Sequence, residues 1–104
     1  MTKRTKALSI TPAVRRAVYE RDSYDGCPCC IICGNPHEIT VAHYISRSQS
    51  GLGIEENLVT MCVAHHAKFD HGYPDERREF RQRVKEYLRS KYDYWNEEML
   101  KYRR

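Results

Sequence analysis

The chain has 104 residues, of which 40% are hydrophobic and 31% are charged. This length suffices for one compact domain over residues 1–104 and excludes a multidomain enzyme. The formal net charge of +4 is unevenly distributed, because residues 1–21 and 77–104 each carry +5 whereas residues 22–76 carry −6. Basic segments of this kind are typical of proteins that bind a phosphate backbone, although solvated helix surfaces often look the same.

The hydropathy pattern predicts a soluble, intracellular protein. No apolar run approaches the roughly 20 residues that a membrane-spanning helix needs, and the first six residues lack the apolar segment of a signal peptide. Two Phe and one Trp are few large apolar residues for this length, so we expect a metal or a disulfide to supplement the core. In a reducing compartment, the uneven set of five cysteines favours a metal.

The first half of the chain is predicted to form a short basic helix and a turn-rich segment. Thr11 and Pro12 are typical of an N-cap and a first helical position, and the helix they begin extends to Arg21. Residues 22–26 are rich in turn formers. Residues 30–34 have the form of a zinc knuckle, with a glycine at the tight turn.

The second half is predicted to contain two strands followed by two helices. The strands cover residues 39–45 and 57–61, and a Ser- and Gly-rich loop over 46–56 connects them. A short helix after Cys62 ends near Gly72. A longer helix covers residues 75–91, with an apolar stripe formed by Phe80, Val84, Tyr87 and Leu88. These elements predict an α+β fold, with a Tyr-rich tail that packs against the domain or a second copy.

Two residue pairs at i, i+3 spacing predict a structural Zn²⁺ site. Cys30 with Cys33 is one pair, and Cys62 with His65 is the other, at the point where a strand passes into a helix. Thiolates and imidazole in a closed tetrahedron are the ligands that structural zinc prefers. A register that uses Cys27 in place of one ligand stays open, because Cys27 also lies three residues before Cys30. We treat Cys27 and Cys29 as spare thiols, and we assign no role to His37.

Four motifs follow one another in an order that carries more information than any one of them. They are Cys30-x-x-Cys33-Gly34, Ala42-His43-Tyr44-Ile45, Asn57-Leu58-Val59-Thr60 and Cys62-x-x-His65-His66 with Asp70. In this order they resemble the HNH endonuclease family and its ββα-metal fold, over about residues 15–72. The basic arm and helix of residues 1–21 and the Arg-rich helix and tail of residues 75–104 flank this core. The resemblance is to the small, zinc-knuckle HNH proteins of tailed phages in particular.

The resemblance implies a metal-dependent endonuclease that nicks or cuts double-stranded DNA. His43 matches the general base, and Asn57 matches the residue that holds the loop between the strands. His66 matches the ligand of the catalytic divalent ion, which is Mg²⁺, Mn²⁺ or Ni²⁺, and Asp70 lies one helical turn on as a second ligand. His65 points about 100° around the same helix and is left for the zinc.

The resemblance also implies partners and a location. We expect DNA contacts from five basic residues: Arg47, Lys68, Arg77, Arg78 and Arg81. A role in DNA packaging, with a phage terminase as partner, and a place in the cytoplasm of a bacterial host are expected if the chain is phage-encoded. No membrane partner is expected.

Three alternatives stay open from the sequence. Many family members have an Asp or His before the base, but this chain has Ala42 there, so one metal ligand is missing. Another alignment makes His43 that ligand and leaves Tyr44 as the base, although the spacing from His43 to the loop fits the first alignment better. His71 is a possible ligand in place of Asp70. The missing ligand supports a second function, a noncatalytic zinc-dependent DNA-binding or packaging-adaptor module with the same fold.

Overall fold

The computed structural model describes residues 2–103, which form four α-helices and two short antiparallel sheets. This confirms the predicted α+β class. None of the described helices has the length and apolar character needed to cross a membrane. In chain order the elements are α1 (Lys3–Leu8), α2 (Pro12–Arg21), β1 (Ser23–Tyr24), β2 (Cys27–Pro28), β3 (Ile39–His43), β4 (Leu58–Cys62), α3 (Val63–His71) and α4 (Pro74–Lys91).

The predicted helices begin and end within one residue of the expected positions, but helix α1 and the β1–β2 hairpin were not predicted. The Thr11 side chain accepts a hydrogen bond from the Val14 amide and caps α2. Helix α1 lies in the segment that we described only as a basic arm. The turn-rich segment forms the first strand and the turn of the β1–β2 hairpin, and its turn residues Asp25 and Gly26 have φ angles of 52° and 83°. An Asp-Gly pair with two positive φ values is typical of a tight hairpin turn, so this signal was present in the sequence.

The β3–β4 hairpin and the two helices that follow it contain most of the core. Val41 pairs with Thr60 in the middle of the hairpin, and every residue of β4 is buried. Phe69 of α3 and the predicted stripe residues Phe80, Val84 and Leu88 of α4 belong to one buried cluster with the hairpin. Within the tail, Trp95 and Leu100 join the same cluster, so these parts of the tail pack against the domain.

Strand β3 ends at His43, two residues earlier than predicted, because the backbone of the next two residues bonds to Asn57. The Tyr44 amide donates to the Asn57 carbonyl, and the Ile45 amide donates to the Asn57 side chain at 2.9 Å. The predicted loop over 46–56 then contains two short 3₁₀ helices, Arg47–Gln49 and Glu55–Asn57. The loop therefore has regular local structure at both of its ends, and its first residues lie next to His43.

A buried ion pair joins α2 to the hairpin and to α4. Arg21 Nε lies 2.7 Å from Asp22 Oδ1, and the Asp22 side chain is fully buried. Asp22 Oδ2 accepts from the Thr60 amide at 2.9 Å, and the Tyr87 hydroxyl also donates to Asp22. Arg21 in turn donates to the Glu55 carbonyl at 2.7 Å. Because Arg21 and Asp22 each have partners for their charge, this network holds β4 in place at little cost in unpaired charge.

Candidate active site

The four predicted zinc ligands come together in one cluster. Cys30 and Cys33 lie on the knuckle, Cys62 ends β4, and His65 lies on the first turn of α3. Their ligand atoms all lie within 4.8 Å of one another. Cys27 belongs to β2 and Cys29 follows it, and neither joins the cluster. The structure therefore brings together the register that pairs Cys30 with Cys33, without Cys27, and this cluster could hold a metal ion such as zinc.

The donor chemistry and spacing fit a tetrahedral metal. Zn–S bonds of about 2.3 Å require sulfur atoms about 3.8 Å apart in a tetrahedron. The Cys33 and Cys62 sulfurs are 3.9 Å apart, and His65 Nδ1 lies 3.3 Å from the Cys62 sulfur and 3.9 Å from the Cys30 sulfur. Burial raises the pKa of the Cys30 thiol, but amide hydrogen bonds from residues that include Cys62 and Cys33 outweigh it and bring the pKa below its usual value. These hydrogen bonds thus favour the thiolate form of Cys30, the form that a metal binds. For Cys33, an amide hydrogen bond from Asn35 lowers the pKa, but burial and the thiols of Cys30 and Cys62 outweigh it and raise the pKa above its usual value.

On the other side of α3, a polar pocket of about 480 Å³ contains the predicted base and both predicted cation ligands, whereas Asn57 lies outside its lining. His43 from β3 and both His66 and Asp70 from α3 line it. His65 and His66 are adjacent in the chain, and the helix directs them to different sites, as their angular spacing predicts. The other lining residues are Val41, Ser46, Arg47, Ser48, Gln49, Phe69, His71, Arg77 and Arg81.

Hydrogen bonds determine which nitrogen of His66 can bind a cation. The Thr40 hydroxyl donates its one proton to the Met61 carbonyl at 2.9 Å. It must therefore accept at its 2.6 Å contact with His66 Nδ1, so that this nitrogen carries a proton. In the neutral ring the lone pair is then on Nε2, which lies 3.2 Å from Asp70 Oδ2. These are the two atoms that could hold a cation here, and Thr40 is the supporting residue that sequence analysis missed.

The ring of His43 is also oriented by a carbonyl group. His43 Nε2 lies 3.2 Å from the Leu8 oxygen, and a carbonyl can only accept, so Nε2 carries the proton and Nδ1 the lone pair. Burial lowers the pKa of His43 below its ordinary value, the Leu8 contact and Asp70 oppose this, and Arg47 and His66 reinforce it. His43 is therefore neutral at pH 7, the form that accepts a proton.

Asn57 holds the loop that forms one wall of the pocket. Its side chain is fully buried, accepts from the Ile45 amide and donates to the Ile45 and Leu52 carbonyls at 3.1 and 2.9 Å. These bonds tie the start of the loop, next to His43, to its middle. Asn57 thus holds this loop, and its role in positioning His43 stays a prediction.

The structure separates the alternatives left open at Tyr44 and Ala42. Tyr44 is buried, its ring packs edge-on against Trp95, and its hydroxyl donates to Glu97. Burial and the Glu97 contact raise the pKa of Tyr44 to about 12, which is unsuitable for a base at neutral pH. Ala42 is fully buried in the core, so the position before His43 brings no ligand to the pocket.

The five basic residues predicted to contact DNA fall into two groups. Arg47, Arg77 and Arg81 line the pocket. Arg81 is fixed there, because it donates to the Tyr44 carbonyl at 2.7 Å and its guanidinium lies about 5 Å from the rings of Tyr44 and Phe69. Lys68 and Arg78 are exposed outside the pocket lining, and Arg78 pairs with Asp75.

Replacing Thr40 with valine is expected to weaken divalent-cation binding at His66 and Asp70 by about 10- to 100-fold, the usual cost of losing a supporting hydrogen bond. Valine keeps the shape of threonine but has no oxygen to accept a hydrogen bond, so His66 Nδ1–H loses its partner. Mn²⁺ titration by calorimetry, with the zinc cluster filled, measures the change. Ser48→Ala removes a hydroxyl from the same pocket that bonds to Ser46 instead, and this control should leave Mn²⁺ affinity unchanged.

No known protein-family model matches this chain, and a search of curated proteins found no match. The assignment of function therefore depends on the geometry of the site and on the motifs themselves.

Proposed function

We propose that this protein is a metal-dependent endonuclease of the HNH type, with a ββα-metal core, that hydrolyses phosphodiester bonds of double-stranded DNA. The observation that carries the proposal is one pocket that joins a neutral histidine to a His–Asp pair. His43 has a free Nδ1 lone pair, and His66 and Asp70 face each other 3.2 Å apart. A base and a cation site on one surface are what phosphodiester hydrolysis needs.

In this proposal, His43 Nδ1 takes a proton from the attacking water as the new P–O bond forms. The P–O3′ bond breaks, the 3′ oxygen takes a proton from solvent, and the products are a 5′-phosphate and a 3′-hydroxyl. A divalent cation held by His66 and Asp70 would stabilise charge on the scissile phosphate and the leaving oxygen. Arg47, Arg77 and Arg81 supply positive charge along the pocket for the flanking phosphates.

The second candidate is a noncatalytic, zinc-dependent DNA-binding or packaging-adaptor module, for which a terminase is the proposed partner. The buried Ala42 favours it, because the cation site has two protein ligands where many HNH enzymes have a third. A hard cation accepts waters and phosphate oxygens as its remaining ligands, so two protein ligands are compatible with turnover but imply weak binding.

Conversion of supercoiled plasmid to relaxed or linear DNA by the zinc-loaded protein tests the proposal. We expect cleavage only when Mg²⁺, Mn²⁺ or Ni²⁺ is added, and we expect Asp70→Asn to raise the required cation concentration at least about tenfold. His71→Ala is the matched control, since His71 lines the pocket beside Asp70 but Asp70 makes the contact with His66.

The outcomes separate the two candidates. DNA binding that weakens steeply with salt, without cleavage under any cation, would replace the nuclease with the binding module. A larger effect of His71→Ala than of Asp70→Asn would make His71 the ligand.

A further inference from the structure

The last turn of α1, which lies outside the pocket lining, contacts the ring of His43. The final carbonyl groups of a helix have no partner within the helix. Two of those in α1 are used by tertiary contacts. The Leu8 carbonyl accepts from His43 Nε2 at 3.2 Å, and the Ala7 carbonyl accepts from the Gly53 amide at 3.0 Å. Helix α1 therefore connects the ring of His43 to the loop that follows β3.

The approach of α1 to this loop depends on the absence of a side chain at Gly53. Gly53 is buried, and a Cβ atom there would lie 2.2 Å from the Ser9 oxygen and 2.9 Å from the Leu8 oxygen. Both are backbone atoms, so the backbone at the end of α1 would have to move to make room for a side chain. At the other end of α1, Arg4 donates to the Arg47 carbonyl and to the Ser50 hydroxyl.

The Leu8 side chain anchors the same turn. It is only 2% exposed, whereas most of the remaining side chains of α1 are exposed or half-buried. A buried side chain at the residue whose carbonyl meets His43 holds that carbonyl in place. The contact is thus supported from two sides, by the burial of Leu8 and by the close approach of Gly53.

We propose that the Leu8 carbonyl positions His43, and that Gly53 is the residue that permits this contact. A neutral imidazole carries one ring proton, and the contact places it on Nε2, which leaves the lone pair on Nδ1. The effect of this contact on catalysis rests on the proposed nuclease function, whereas the hydrogen bond between His43 and Leu8 does not. A ring released from Leu8 would lose its orientation, and misplacement of a reacting group lowers kcat more than it lowers substrate binding.

The test is nuclear magnetic resonance of the full-length, zinc-loaded, ¹⁵N-labelled protein. We expect a His43 Nε2–H signal that exchanges slowly with water, assigned by its absence in His43→Ala. Gly53→Ala should push the Leu8–Ser9 backbone away from the loop, because the added Cβ would overlap it. Leu8→Ala should loosen the same backbone, because it removes the buried side chain that anchors it. In each variant we expect exchange to become about tenfold faster, the order expected for the loss of one hydrogen bond. We expect kcat for plasmid cleavage to fall about tenfold, with KM for DNA unchanged.

Val18→Ala is the matched control for loss of stability. Val18 is a fully buried side chain of α2, so its truncation also removes apolar contacts, but it should leave the His43 signal protected. If Gly53→Ala does not fold, Leu8→Ala decides the question.

Three results would overturn the inference: no protected Nε2–H signal in the unmodified protein, equal protection in Leu8→Ala, or equal loss of protection in Val18→Ala. A protected signal in a protein that cuts no DNA would remove the nuclease proposal and leave the contact intact.

Discussion

Replacing Cys62 with serine is expected to remove bound zinc and the cooperative fold together. Cys62 supplies one of four clustered ligand atoms and joins β4 to α3, and its sulfur lies 3.9 Å from that of Cys33. Structural zinc contributes about 10 kcal/mol or more to folding, which exceeds the net stability of many small domains. The elements that carry the pocket should therefore lose their arrangement when zinc is removed.

Metal content by mass spectrometry and thermal unfolding by circular dichroism measure this effect. The unmodified protein should hold one zinc per chain and unfold cooperatively, and a strong chelator should reproduce the Cys62→Ser result. Cys27→Ser is the matched control, since Cys27 is an exposed cysteine outside the cluster. A chelator-treated protein with an unchanged melting temperature would show that packing alone holds this fold.

Replacing His43 with alanine is expected to reduce the rate of DNA cleavage by about 10²- to 10⁴-fold, the usual contribution of a general base. The substitution removes the lone pair at Nδ1 but leaves the zinc cluster and the His66–Asp70 pair unchanged. Zinc content and DNA affinity should therefore stay close to those of the unmodified protein. The plasmid assay under saturating Mn²⁺ measures the rate.

The exposed histidine His37 supplies the control, because His37→Ala alters a surface near the knuckle and should cut DNA normally. A His43→Ala protein that cuts at the normal rate would remove His43 as the base. The pH profile gives a further check with a defined sign. Burial lowers the pKa of His43, and the neutral ring is the active form. The rate should therefore fall only when the pH drops below the ordinary histidine pKa of about 6.5.

The members of the Cys₃His cluster and the order of the main elements could be predicted because they depend on local spacing. Cys30 with Cys33 and Cys62 with His65 match a knuckle and a strand-to-helix junction. His65 and His66 face different sites because successive residues of an α-helix point about 100° apart. Helix α1 was missed because its six residues lack an apolar repeat, and only Leu8 is buried.

The amino-acid sequence by itself determined which chemical groups are present and which helical or strand face each one occupies. The tertiary structure alone decided how those groups are oriented. The protonated nitrogen of His66 depends on Thr40, which lies 26 residues away, and that of His43 depends on Leu8, which lies 35 residues away. Tyr44 also has a distant partner, because its hydroxyl donates to Glu97. This contact and the burial of its ring exclude Tyr44 as the base. Local periodicity carries no information about such partners, because they are brought into contact only when separate elements pack together.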